Sequence, residues 1–260
     1  MTSCMKLLFG TVFLGCSLTG FSQLDSSGPT ASSGQEAAKT KNNIIKLNLS
    51  ALVAKNISLQ YERGIGRKTS IALGIHTLPF GDVPFQSTLI DIVDDPSANI
   101  KELKLGAFGI TPEFRFYPGR KGVFRGLYLG PFFSYNSYKT DLPINYDYNN
   151  ETRTGIFKGT VTTYTAGLQI GAQWKLGNSI YLDWWILGPN YGGASGDVVF
   201  SSQLDYYEQG ALSIQLQQLK DDVPFHVIKS FSVDNNGAII NFKGPWAGIR
   251  ALGINLGYRF

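Results

Sequence analysis

Ala251-Leu-Gly-Ile-Asn-Leu-Gly-Tyr-Arg-Phe260 decides the reading of this chain. Successive side chains of a strand point to opposite faces. Leu252, Ile254, Leu256, Tyr258 and Phe260 therefore share one face, and Ala251, Gly253, Asn255, Gly257 and Arg259 share the other. One apolar and one small or polar face describe a strand between two unlike environments. A soluble ligand-binding barrel turns its apolar face inward, whereas a membrane barrel turns it to lipid and fills its interior with polar groups. This strand alone fits both.

Working back from it, the same two-residue alternation recurs in runs separated by Gly, Pro, Asn and Asp clusters, the signature of strands and turns. Ile44 to Ala51 sets Ile45, Leu47 and Leu49 against Lys46, Asn48 and Ser50, and Ile57 to Glu62 sets Ile57, Leu59 and Tyr61 against Ser58, Gln60 and Glu62. The other expected strands are Ser70 to Thr77, Leu103 to Tyr117 with an interruption around Pro112, Gly126 to Tyr138, Thr160 to Trp174, Ile180 to Leu187, and Trp246 to Phe260. The connections are short at 64–68, 118–125 and 175–179 and long at 78–102, 139–159 and 188–245, with 52–56 a short exception. Short turns on the periplasmic side and long extracellular loops are the pattern of bacterial barrels. The expected fold is all-β, an antiparallel up-and-down transmembrane β-barrel of about eight strands with both chain ends in the periplasm.

Several features favour the membrane alternative. Gly74, Gly167, Gly171, Gly253 and Gly257 leave room on the polar faces for long side chains to cross a narrow lumen. Backbone polar groups in lipid must be paired within the protein, so spanning strands must close on themselves. Tyr61, Phe116, Tyr117, Tyr128, Trp174, Trp184 and Tyr258 lie near strand ends and suit interfacial girdles. Charged residues make up 16% of the chain, below the roughly 25% of soluble domains. The net charge of +4, with scattered basic residues, argues against a nucleic-acid partner.

Lys6, the apolar stretch Leu7 to Leu18 and the small residues Gly20 and Ser22 read as a signal peptide over 1–22, with Met5 an alternative start. That stretch is too short for a membrane-spanning helix. Both cysteines, Cys4 and Cys16, fall inside it, so the processed chain would form no disulfide. Cys16 could instead be a lipid attachment site, a pattern that Phe13 and Leu14 fit poorly. Residues 23–43, rich in Ser, Gly, Ala, Lys and Thr, read as a disordered periplasmic leader, and 44–260 as the barrel.

The ending Gly253 to Phe260, with Tyr258 and a terminal Phe, resembles the strand by which outer-membrane barrels are recognised for assembly. Ile57 to Gly64 (ISLQYERG), Thr111 to Gly119 (TPEFRFYPG) and Leu182 to Gly192 (LDWWILGPNYG) resemble a family of uncharacterised small outer-membrane β-barrels grouped under a domain of unknown function. The likeness covers most of Asn43 to Phe260, least well between Ala194 and Pro245. It implies a fold, an outer-membrane location, and barrel-assembly machinery and membrane lipid as partners, but no activity.

The candidate site is a lumenal polar network of Glu62, Glu113, Arg115, Asp183 and Arg250, which could close the barrel or, alternatively, line a gated pore or small polar ligand site. Catalysis is not expected. His76 and His226 are the only histidines and have no nucleophile motif beside them, leaving a barrel-embedded hydrolytic or lipid-modifying enzyme as the alternative. No ligand spacing suggests a metal or cofactor. The long connection 188–245 contains a rough helical stripe of Leu204, Tyr207, Leu212, Leu216 and Leu219. It reads as a lid or plug, or else as a surface for an extracellular ligand. The expected role is structural, envelope-interacting or small-solute, in a monomer; a soluble periplasmic ligand-binding barrel is the second alternative.

Overall fold

The computed structural model describes residues 42–84, 100–148, 151–222 and 227–260. The expected signal peptide, Cys16, most of the leader and His226 lie outside the described residues. The fold is all-β: nine antiparallel strands in the order β1-β2-β3-β4-β5-β6-β7-β9-β8. They are β1 (Asn43–Asn48), β2 (Ile57–Gly64), β3 (Thr69–Asp82), β4 (Lys104–Phe116), β5 (Gly126–Tyr148), β6 (Glu151–Lys175), β7 (Ile180–Ser201), β8 (Ile228–Asp234) and β9 (Gly237–Arg259). β1 also pairs with β9, from Ile44↔Arg259 to Asn48↔Asn255, and this pairing closes the sheet into a ring. Eight strands make the ring; β8 pairs with β9 alone. Among the described residues, no helix is long and apolar enough to cross a membrane.

The ends of the ring differ. Both described chain ends and the turns 65–68, 117–125 and 176–179 lie at one end. At the other, β5, β6, β7 and β9 run far past β1 and β2. Connections 139–159 and 188–245, expected as loops, are therefore largely strand. β5 and β6 stay paired to Tyr148↔Glu151, β7 reaches Ser201, and the last strand begins at Gly237 rather than Trp246. The remainder of 188–245 includes helix α2 (Tyr206–Asp222) and β8, a strand the alternation pattern did not suggest.

These extensions invert the alternation of the ring. Near the short turns, β5 points Leu127, Leu129 and Phe133 outward and Ser134 and Asn136 inward. Farther along, its inward residues are Leu142 and Ile144, while Lys139 and Asn145 are exposed. The inward apolar set joins Phe157, Phe200, Ile240 and Phe242 in a core covered by Leu212, Leu216 and Leu219 of α2. The helix forms where the stripe predicted one, although Tyr207 is exposed at 78%. Asp205 and Glu208 start it as a reciprocal cap: the Glu208 backbone N–H donates to the Asp205 carboxylate at 2.8 Å, and the Asp205 N–H to the Glu208 carboxylate at 2.8 Å.

Two smaller expectations are corrected. β1 stops at Asn48, not Ala51, because the Asn48 side chain accepts from the Ala51 N–H and starts helix α1 (Leu49–Val53). Pro112 does not break β4: its pairing with β3 runs through Leu73↔Pro112, and only the pairing with β5 lapses, between Ile110↔Tyr135 and Glu113↔Phe132. A residue without an N–H removes a ladder bond without requiring the strand to end.

The packing of α2 gives a direct prediction. Leu216 is fully buried in the extension core, so Leu216→Ala should destabilise this region by about 2–5 kcal/mol. Limited proteolysis should then cut faster within 203–235 while the short-turn half of the ring remains resistant.

Candidate functional site

The interior near the short turns is built from charged and polar side chains that alternation alone turns inward. Lys46 of β1, Glu62 and Gln60 of β2, Glu113 and Arg115 of β4 and Asp183 of β7 are all buried. Arg115 is the hub. Its Nε donates to Glu113 at 2.7 Å, and its Nη1 donates to Asp183 at 2.7 Å and to Glu62 at 3.2 Å; Nη2 donates to Gln60 at 3.0 Å. Lys46 makes ion pairs with both Glu62 and Asp183. Arg250 of β9 reaches Glu113 at 3.0 Å and lies over the Trp185 ring at 3.6 Å.

Three cations, Lys46, Arg115 and Arg250, thus meet three carboxylates, Glu62, Glu113 and Asp183. Equal numbers matter because burying an unmatched charge costs several kcal/mol. Neutral groups take further lone pairs. Tyr117 donates to Glu62 at 2.7 Å, Tyr128 to Asp183 at 3.0 Å, and Ser70 also donates to Glu62. The Tyr128 ring receives the Arg115 guanidinium at 4.2 Å. Small residues make the room: a Cβ on Gly257 would come within 2.9 Å of Ile44 and 3.2 Å of Lys46, and one on Gly171 would collide with the Tyr128 ring.

All five residues expected in the network are in it. Arg250 requires an explanation, since strict alternation puts it on the face of Leu252 and Ile254. Leu252 adopts φ 59°, and the alternation changes phase there: Ala251 is exposed, Gly253 is buried and Arg250 points inward. Lys46 was missed as a network member although its position on the polar face of β1 was legible. Tyr117 and Tyr128, expected in an interfacial girdle, are instead fully buried beside the carboxylates. Their inward register and hydroxyl groups put them there.

The short-turn end is stoppered. Phe124, from the turn between β4 and β5, is fully buried with Ile44 and Tyr181, and the Arg259 guanidinium lies 5.2 Å over its ring. Beyond the ion pairs the lining becomes uncharged, with Thr111 and Ser134 hydroxyls 2.9 Å apart and the Asn136 amide donating to Thr163 at 3.3 Å. His76 projects over Gly109 beside Asn136. Tyr138 of β5 and Trp246 of β9 stack across the ring at 6.4 Å. Among the described residues, no group of three His, Cys, Asp or Glu side chains is arranged to hold a metal ion.

Residues 29–191, more than half of the chain, match the model of a protein family of unknown function, DUF3575. The chain belongs to that family. The matched DUF3575 region contains β1 to β6, most of β7, and every network residue except Arg250. It ends before α2, β8 and β9, so the closing strand and the helix that caps the extension lie outside it, while the extended parts of β5 and β6 lie within it. No curated protein and no solved structure matches the chain.

Removing the hub leaves carboxylates buried without their partner. Arg115→Met should lower unfolding free energy by about 3–5 kcal/mol, measured by urea titration of the folded protein. Adding Asp183→Asn to that variant should recover part of the loss, since the two residues are coupled through their ion pair. Strict additivity would contradict that coupling.

Proposed function

We propose that the protein is an outer-membrane β-barrel whose sealed interior makes it a structural, envelope-interacting element, with no catalysis. The observation that carries the reading is the outer surface of the ring. Leu59 and Leu73 on β2 and β3, Phe114 on β4, Leu129 and Phe133 on β5, Leu168 and Ile170 on β6, Trp184 on β7, Leu256 on β9 and Ile45 on β1 are all exposed. This apolar surface passes around every ring strand, while soluble monomers rarely expose a contiguous apolar patch of more than a few hundred Å². On β6 it runs from Tyr164 to Trp174, in keeping with the roughly 9–11 residues a tilted strand needs to cross a bilayer.

The same geometry weighs against a soluble ligand barrel, which would require the apolar face inward and charges in water. It also weighs against an open pore, because Arg115, Tyr117, Tyr128 and Tyr181 fill the interior without measurable exposure. The hydrolytic reading centred on His76 has Ser134, Asn136 and Thr111 nearby but no hydrogen-bonded nucleophile, base and orienting carboxylate among the described residues. The extension capped by α2 then stands on the extracellular side, where exposed Tyr206 and Tyr207 could meet a ligand. Barrel-assembly machinery would receive the strand ending at Phe260, and the protein would work as a monomer.

Fractionation of cells producing the full chain tests this reading. The expected result is recovery with outer membranes and a gel band that changes mobility on boiling; a soluble periplasmic species without heat modification would refute it. In planar bilayers the purified protein should give no regular stepwise conductance, and steady open-channel steps would show that the interior is not sealed.

A further inference from the structure

Charge is distributed unequally between the two ends of the ring. The short-turn segments 63–69, 117–126 and 174–180 contain Arg63, Arg67, Lys68, Arg120, Lys121, Arg125 and Lys175 and no aspartate or glutamate. Among the described residues, Glu62, Glu113 and Asp183 are consumed by the buried network, and every other acidic residue lies toward the extension. Arg63, Arg67, Lys68, Arg120, Lys121 and Lys175 are exposed, and none of the six is ion-paired among the described residues; Lys68 donates to the Pro118 carbonyl at 3.2 Å. Among the described residues, no acidic side chain compensates the positive charge of this collar.

Its height relative to the apolar surface identifies what compensates it. Tyr61 and Arg63 lie two residues apart on one outward face of β2, and exposed Trp174 is followed by Lys175 at the end of β6. An aromatic ring at the rim of an apolar belt, with a long cationic chain just beyond it, places the ammonium or guanidinium group at headgroup depth. Exposed charges act strongly only within a Debye length of about 10 Å, so the partner must lie immediately around the rim. We infer that this basic collar binds the phosphates of anionic phospholipids in the leaflet on the short-turn side, orienting and seating the ring in the bilayer. The inference rests on the membrane reading proposed above.

Lipid selectivity measured by electron paramagnetic resonance tests it. The full-length protein is refolded into phosphatidylcholine vesicles carrying a trace of spin-labelled phosphatidylglycerol or spin-labelled phosphatidylcholine. Both labels should show a motionally restricted component at the protein surface. The phosphatidylglycerol label should be enriched about fivefold at low salt, the selectivity expected of one effective basic contact with an anionic headgroup. Enrichment should collapse at about 0.5 M salt. It should also collapse in the variant carrying Arg63→Gln, Arg67→Gln, Lys68→Gln, Arg120→Gln, Lys121→Gln and Lys175→Gln, whose heat-modifiable band shows that it still folds. Lys229→Gln with Lys243→Gln, on the extension, should leave the preference intact. Restricted lipid with no preference for phosphatidylglycerol overturns the inference alone, whereas no restricted lipid with either label overturns the membrane reading and this inference together.

Discussion

Closure of β1 onto β9 is the constraint on which the other features depend. The short pairing from Ile44↔Arg259 to Asn48↔Asn255 joins β1 to the last residues of β9 and brings Lys46 to Glu62 and Asp183. An open sheet would leave edge N–H and C=O groups unpaired and let water reach the ion pairs. Conversely, the paired interior gives the closed form its specificity, because Arg115 has good partners only when β2, β4 and β7 are held around it at once. Backbone closure and charge pairing are therefore mutually dependent.

One set of strands serves two opposite patterns. In the closed half, polar groups point inward and aliphatic groups outward; in the extension, the inward positions of the same strands are aliphatic and pack beneath α2. The crossover coincides with the uncharged lining and the Tyr138–Trp246 stack. Such an inversion is what the proposed membrane placement requires: strands that leave lipid for water must cover an apolar core from within. The outward residues follow suit, from Leu129 and Phe133 to Lys139 and Asn145 on β5.

Much of this was legible in the sequence because strand alternation is a strict geometric rule. The eight ring strands, the turns at the short end and four of the five charged residues of the network follow from two-residue periodicity; Arg250 is turned inward by the phase change at Leu252. What failed did so for identifiable reasons. The upper parts of β5, β6, β7 and β9 resemble loops in sequence because their Asn, Asp, Gly and Pro content is that of turns, while their alternation is weak and reversed in sense. Lys46 was visible on a polar face but had no local sign of its distant partner Asp183. For Tyr117 and Tyr128 residue type suggests a girdle while register points them inward, and the phase change at Leu252 is a backbone property with no residue signature, since leucine rarely adopts positive φ.

The central claim is that the alternation of the ring separates lipid from a sealed interior, and β6 offers the most direct test. Single nitroxide labels placed at successive positions from Tyr164 to Ile170 in the reconstituted protein would be scanned for collision with oxygen and with a water-soluble nickel reagent. The account predicts oxygen accessibility and nickel protection at 164, 166, 168 and 170, with low accessibility to both reagents at 165 and 169. Strong nickel collisions at the even-numbered positions would place the apolar face in water and contradict it.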